Sequence, residues 1–152
     1  MKEESPEKQL AGFIAKYTPE VAAAAQAALA KMRARLPGAL ELVYDNYNAL
    51  AIGFGANERT SDAIFSIALY PRWVSLFFLH GVGLADPQKL LKGSGKVVRH
   101  IVLENAETLD KPAVQALIAQ ALEKERVKFD GAAPGRIIIK SISAKQRPRR
   151  PA

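Results

Sequence analysis

Tyr44, Asp45, Tyr47 and Asn48 fall within five consecutive positions, and Ser66, Tyr70, Trp73 and Ser75 bracket a Pro71-Arg72 turn. Aromatic faces beside short hydrogen-bonding side chains suit a small-molecule pocket, where rings supply area and polar groups set orientation. They are less suited to catalysis. A serine nucleophile needs a histidine base held by a third group. Ser66 or Ser75 with His80 lacks a nucleophile elbow and any marked oxyanion donors. Asp45 beside Tyr44 or Tyr47 fits hydrogen bonding at a strand turn better than general acid–base work. No catalytic constellation is recognisable.

Metal chemistry has a thinner basis. There is no cysteine, so a thiolate site is excluded, and the two histidines, His80 and His100, fall on different predicted strands without ligand spacing. His100 followed by Glu104, Glu107 and Asp110 offers oxygen and nitrogen donors to a hard cation. The same carboxylates also suit a solvated loop ahead of a helix start. Gly93-Ser94-Gly95-Lys96 imitates the end of a phosphate-binding loop. However, Leu90 stands where the first glycine belongs, and Val97 where a hydroxyl residue belongs. The segment leads into a strand, so no helix N-terminus faces a phosphate.

The net charge of +7 is unevenly distributed. Six basic residues and no acid lie from Arg136 onward, and removing them from the 22 leaves 16 bases against 15 acids. Lys145, Arg147, Arg149 and Arg150 form a basic end able to contact phosphates without reading sequence, since no aromatics are interleaved. The composition of Gln146 to Ala152 predicts disorder. The charged N-terminus has no apolar run behind it, and the most apolar stretch, Ala63 to Leu79, is broken by Pro71 and Arg72. Neither a secretory signal nor a membrane span is expected, and a cytoplasmic location is.

The elements that must position these residues can be read from periodicity. Leu10, Phe13, Ile14 and Tyr17 share a helical face within Pro6 to Lys16. Thr18-Pro19-Glu20 is a helix start, and the helix it opens runs to Pro37-Gly38. Strands follow at Leu42 to Tyr47, Ala49 to Phe54, Ala63 to Tyr70, Trp73 to His80 and Val97 to Leu103. A short helical piece is expected over Pro87 to Lys92. A last helix opens at Asp110-Lys111-Pro112, and Ile137 to Ile139 form a short added strand. The class is α+β, with an antiparallel-rich sheet of about five or six strands and helices packed against it. One domain covers 1–135, and 136–152 is its basic tail.

The hairpin around Pro71 has a definite register if its loop is even. Tyr70 then faces Trp73, Ala68 faces Ser75, Ser66 faces Phe77, and Ile64 faces Leu79. The alternate set, Leu69 with Val74, Ile67 with Leu76 and Phe65 with Phe78, is apolar and should carry the helices. Side chains alternate across a sheet, so the polar-aromatic set points the other way. That face, with Tyr44, Asp45, Tyr47 and Asn48 beside it, is the expected binding surface. The same serines also fit ordinary strand positions near solvent.

Several segments together resemble the YdhG-like family, a bacterial domain of unknown function. They are Phe13-Ile14-Ala15-Lys16-Tyr17, the long second helix ending before Pro37-Gly38, Leu42-Val43-Tyr44, Leu69-Tyr70-Pro71 and Leu91-Lys92-Gly93-Ser94-Gly95-Lys96. The closing Lys140 to Arg150 looks like the tail of one branch. The resemblance implies a compact α+β domain, and through one branch a frataxin-like role in iron handling. Tyr44-Asp45-Asn46-Tyr47 departs from the Tyr-Gly-Met-Pro that family members often carry there, and the first helix lacks an acidic ridge. The leading expectation is a non-catalytic domain that binds a small molecule. Metal handling is the second reading, and polyanion association through the tail the third. Neither a cofactor nor an oligomeric state is indicated.

Overall fold

A computed structural model describes residues 4–125, 129 and 131–151. The chain enters through two helices, α1 (Pro6–Ala15) and α2 (Pro19–Arg35), and both begin in the same way. The Ser5 and Thr18 hydroxyls accept from the amides of Lys8 and Val21, and each cap is followed by a proline that needs no amide partner. Gly38, at φ 84°, lets the chain leave α2 in the left-handed region.

Six strands follow: β1 (Leu40–Asp45), β2 (Leu50–Gly55), β3 (Phe65–Leu69), β4 (Val74–Phe78), β5 (Arg99–Leu103) and β6 (Ile137–Ile142). Their order in the sheet is β5-β4-β3-β2-β1-β6. All pairings are antiparallel except β1 with β6, which is parallel. A third helix, α3 (Pro112–Lys124), precedes β6, and the expected α+β class holds.

One face of the sheet carries all three helices. Val43, Leu50, Ile52, Phe54, Phe65, Ile67, Leu69, Val74, Leu76 and Phe78 join the buried faces of α1, α2 and α3 in a single apolar cluster. The alternate residues point away, so the helix-free face is lined by Tyr44, Ala51, Gly53, Ser66, Ala68, Ser75, Phe77, His100 and Val102. Leu42, Ala63 and Ala68 are buried yet stand outside the main cluster, because they lie on that second face.

The hairpin register is the one expected from the sequence. Ala68 pairs with Ser75 and Ser66 with Phe77, while the Tyr70 amide donates to the Trp73 carbonyl at 2.9 Å.

Three local expectations fail. Pro87 to Lys92 is not helical. Asp86 accepts the amides of Leu90 and Leu91 on its two carboxylate oxygens, Lys89 turns through φ 53°, and Lys92 forms a bridge with His100. The added strand runs on to Ile142, with a bulge opposite Val43 and Tyr44. The tail, expected to be disordered from Gln146, is held against the domain as far as Arg150 by hydrogen bonds from Gln146, Arg147, Arg149 and Arg150.

Candidate functional site

On the helix-free face the small residues of β2 and β3 leave a trough that larger neighbours wall in. Tyr47, Asn48, Ser66, Tyr70 and Phe77 line one depression of about 500 Å³, floored by Ala51 and Ala68. A second depression of about 320 Å³ lies towards β1, between Tyr44, Thr60, Ser66 and Leu79. The loop between β2 and β3 crosses this end of the face. Thr60 meets the Tyr44 hydroxyl, and Glu58 holds Arg136 through its carboxylate and Lys140 through its carbonyl.

The aromatic members behave as the register requires. Tyr70 and Trp73 stack at 4.7 Å with their planes 19° apart, and Phe77 packs on His100 at 5.1 Å. Burial raises the pKa of the Tyr70 phenol, so it stays protonated and available as a donor across the neutral range. Trp73 sits beyond Tyr70, outside the trough, and is 42% exposed. Ser75 is buried on the same face between Ala68 and Val102 and lines neither depression.

Asp45 does not belong to this surface. It pairs with Leu50 on the helix side of the sheet and is fully buried. Its Oδ1 accepts from Arg149 Nη2 at 2.9 Å and its Oδ2 from Lys16 Nζ at 3.0 Å, while its carbonyl takes the Ser143 amide and the Gln146 side chain. Burial alone would raise this carboxyl's pKa. The Gln146 amide and the Lys16 and Arg149 cations outweigh it, so the group titrates below the usual carboxylate range. Asp45 is a structural anchor. Alternation along β1, which sends Tyr44 outward and Asp45 inward, would have separated the two from the sequence alone.

Arg149 is likewise removed from the expected polyanion surface, being 6% exposed. Besides Asp45 it donates to the carbonyls of Asn46 and Tyr47, and its guanidinium lies 5.8 Å from the Tyr17 ring. Arg150 is exposed but donates to the carbonyls of Lys16 and Ala15. Lys145 and Arg147 remain at the surface, with Arg147 over the Tyr47 ring at 5.9 Å.

The metal-ligand candidates are not brought together. His100 faces Phe77, and Asp110 is paired with Lys31 at 2.7 Å. Glu104 and Glu107 are exposed, each on a different turn. Among the described residues no group of three or more histidines and carboxylates is placed to hold a metal ion. No helix among them is long and apolar enough to cross a membrane.

The sequence reading missed Lys16 and Gln146 as partners of the Asp45 anchor, and Tyr17 as the ring beside its Arg149. Only Tyr17 left a signal, as a phenol on an otherwise apolar helical face. No family model, curated protein or solved structure matches the chain.

Proposed function

We propose that this chain is a non-catalytic cytoplasmic domain of the YdhG-like kind that binds a small, partly aromatic molecule on the helix-free face of its sheet. One observation carries the reading. Tyr47, Asn48, Ser66, Tyr70 and Phe77 converge on a depression of about 500 Å³ whose floor is only Ala51 and Ala68. Small-molecule sites are commonly of this size, with apolar walls and a few convergent polar groups.

A thermal-shift screen of a metabolite library tests this. At least one compound should raise the melting temperature of the wild type, and Ala68→Leu, which fills the floor, should abolish that response while remaining folded. An unresponsive wild type, or a variant that responds as the wild type does, defeats the reading.

A further inference from the structure

Beyond Tyr70, on the side away from the trough, lies a separate cleft of about 780 Å³ between the hairpin turn and the docked tail. Asn48, Tyr70 and Trp73 form its aromatic and amide wall, and Arg72, Arg147 and Arg150 contribute its charge. Among the described residues no carboxylate lines it.

The three cations differ in what already occupies them. Arg150 is partly spent on the carbonyls at the end of α1. Among the described residues Arg147 has the face of Tyr47 and no carboxylate, and Arg72 is exposed with no ion pair. Guanidiniums that line one cleft with no carboxylate among its described lining residues leave a positive charge that a bound anion balances. Trp73 has one ring face stacked on Tyr70 and is still 42% exposed, so a planar group can extend the stack.

We propose that this cleft binds a small anion carrying a planar ring, of the nucleoside monophosphate class. The ring stacks on Trp73, the phosphate is held by Arg72 and Arg147, and Asn48 is placed to hydrogen-bond polar groups between them. The inference stands without the sheet-face reading, since only Tyr70 and Asn48 are shared between the two cavities. It also gives the docked tail a role, because Arg147 and Arg150 reach the cleft only while the tail is held.

The test uses the full chain and four probes: adenosine monophosphate, adenosine, inorganic phosphate and a single-stranded oligothymidylate. Binding is followed by calorimetry and by Trp73 fluorescence. Adenosine monophosphate should bind saturably below about 1 mM, more tightly than adenosine or phosphate alone, and more weakly as salt rises. Trp73→Ala should weaken it at least about fivefold, as loss of one stacking partner does. Arg72→Gln and Arg147→Gln should each weaken it about three- to fivefold, the scale of an exposed charge contact. Ala68→Leu should leave it unchanged, which separates this site from the trough. The proposal is overturned if adenosine monophosphate fails to bind, if adenosine binds equally well, if only the oligonucleotide binds, or if Ala68→Leu abolishes the response.

Discussion

Arg149 and Asp45 meet at 2.9 Å inside the protein although 104 residues separate them in the chain. The contact joins the tail to the turn between the first two strands, and Lys16 brings the end of the first helix to the same carboxylate at 3.0 Å. Removing one partner of a buried pair leaves the other charge uncompensated, at a typical cost of about 3–5 kcal/mol. Lys16 stays to face Asp45, so Arg149→Met should fall near the low end, ~3 kcal/mol by urea unfolding. Pairing it with Asp45→Asn should recover part of the loss, because no charge is then stranded. A loss under about 1 kcal/mol would mean that the tail does not dock in solution.

The same carboxylate makes acid sensitivity specific. Its pKa is lower folded than unfolded, held down against the cost of burial by Gln146, Lys16 and Arg149. The unfolded chain therefore takes up the proton more readily. The stabilisation is full above the unfolded value of about 3.9 and drains as pH falls through the lower, folded value. Urea midpoints between neutral pH and about pH 2 should fall steeply in the wild type. Asp45→Asn should be less stable at neutral pH but show a flatter acid limb. Parallel limbs in the two proteins would assign the acid transition to other carboxylates.

Tyr17 has a comparable role without charge. Its hydroxyl donates to the Leu69 carbonyl at 3.0 Å and accepts the Leu50 amide at 3.1 Å. Leu50 and Leu69 are themselves a cross-strand pair, so the phenol closes the end of that ladder. Burial raises its pKa, and it stays a neutral donor at any ordinary pH. Tyr17→Phe keeps the ring and strands two buried main-chain groups, which should cost about 1–3 kcal/mol. Amide exchange at Leu50 should accelerate with it. Unchanged exchange there would show that water replaces the hydroxyl.

These residues also mark where the sequence was legible. The helices, the first five strands and the central hairpin follow from local chemistry: caps at Ser5 and Thr18, stops at Pro37-Gly38, and alternation from Phe65 to Phe78. Alternation is a property of neighbouring residues, so Ser66 and Tyr70 could be assigned to one face without knowledge of the fold. The tail could not. Gln146 to Arg150 is polar, proline-containing and basic, a composition with no internal reason to order. It is ordered by groups displayed elsewhere, chiefly Asp45 and the Tyr47 carbonyl, and partners that distant leave no mark in local pattern. Asp45 differs from the tail: alternation along β1 already puts it opposite Tyr44, on the helix side, and only its cationic partners Lys16 and Arg149 lay beyond local pattern.

Two glycines offer a matched test of how the last strand is seated. A Cβ at Gly135 would lie 2.8 Å from the Ala39 carbonyl oxygen, a main-chain atom that cannot rotate away. Beside it, the Glu41 amide donates to the Arg136 carbonyl at 2.9 Å, the contact that starts the parallel pairing. Gly135→Ala should therefore shift the entry to β6 and cost about 1–3 kcal/mol, the usual range for forced overpacking. Exchange should rise across Ile137–Ile142 before the rest of the sheet responds. Gly12, on α1, has nothing within 4 Å of the added carbon. Gly12→Ala should stabilise by about 0.5–1 kcal/mol through helix propensity and a less flexible unfolded chain. If Gly135→Ala proves neutral, β6 is not held as closely to Ala39 as the geometry requires, and the tail it carries loses its fixed starting point.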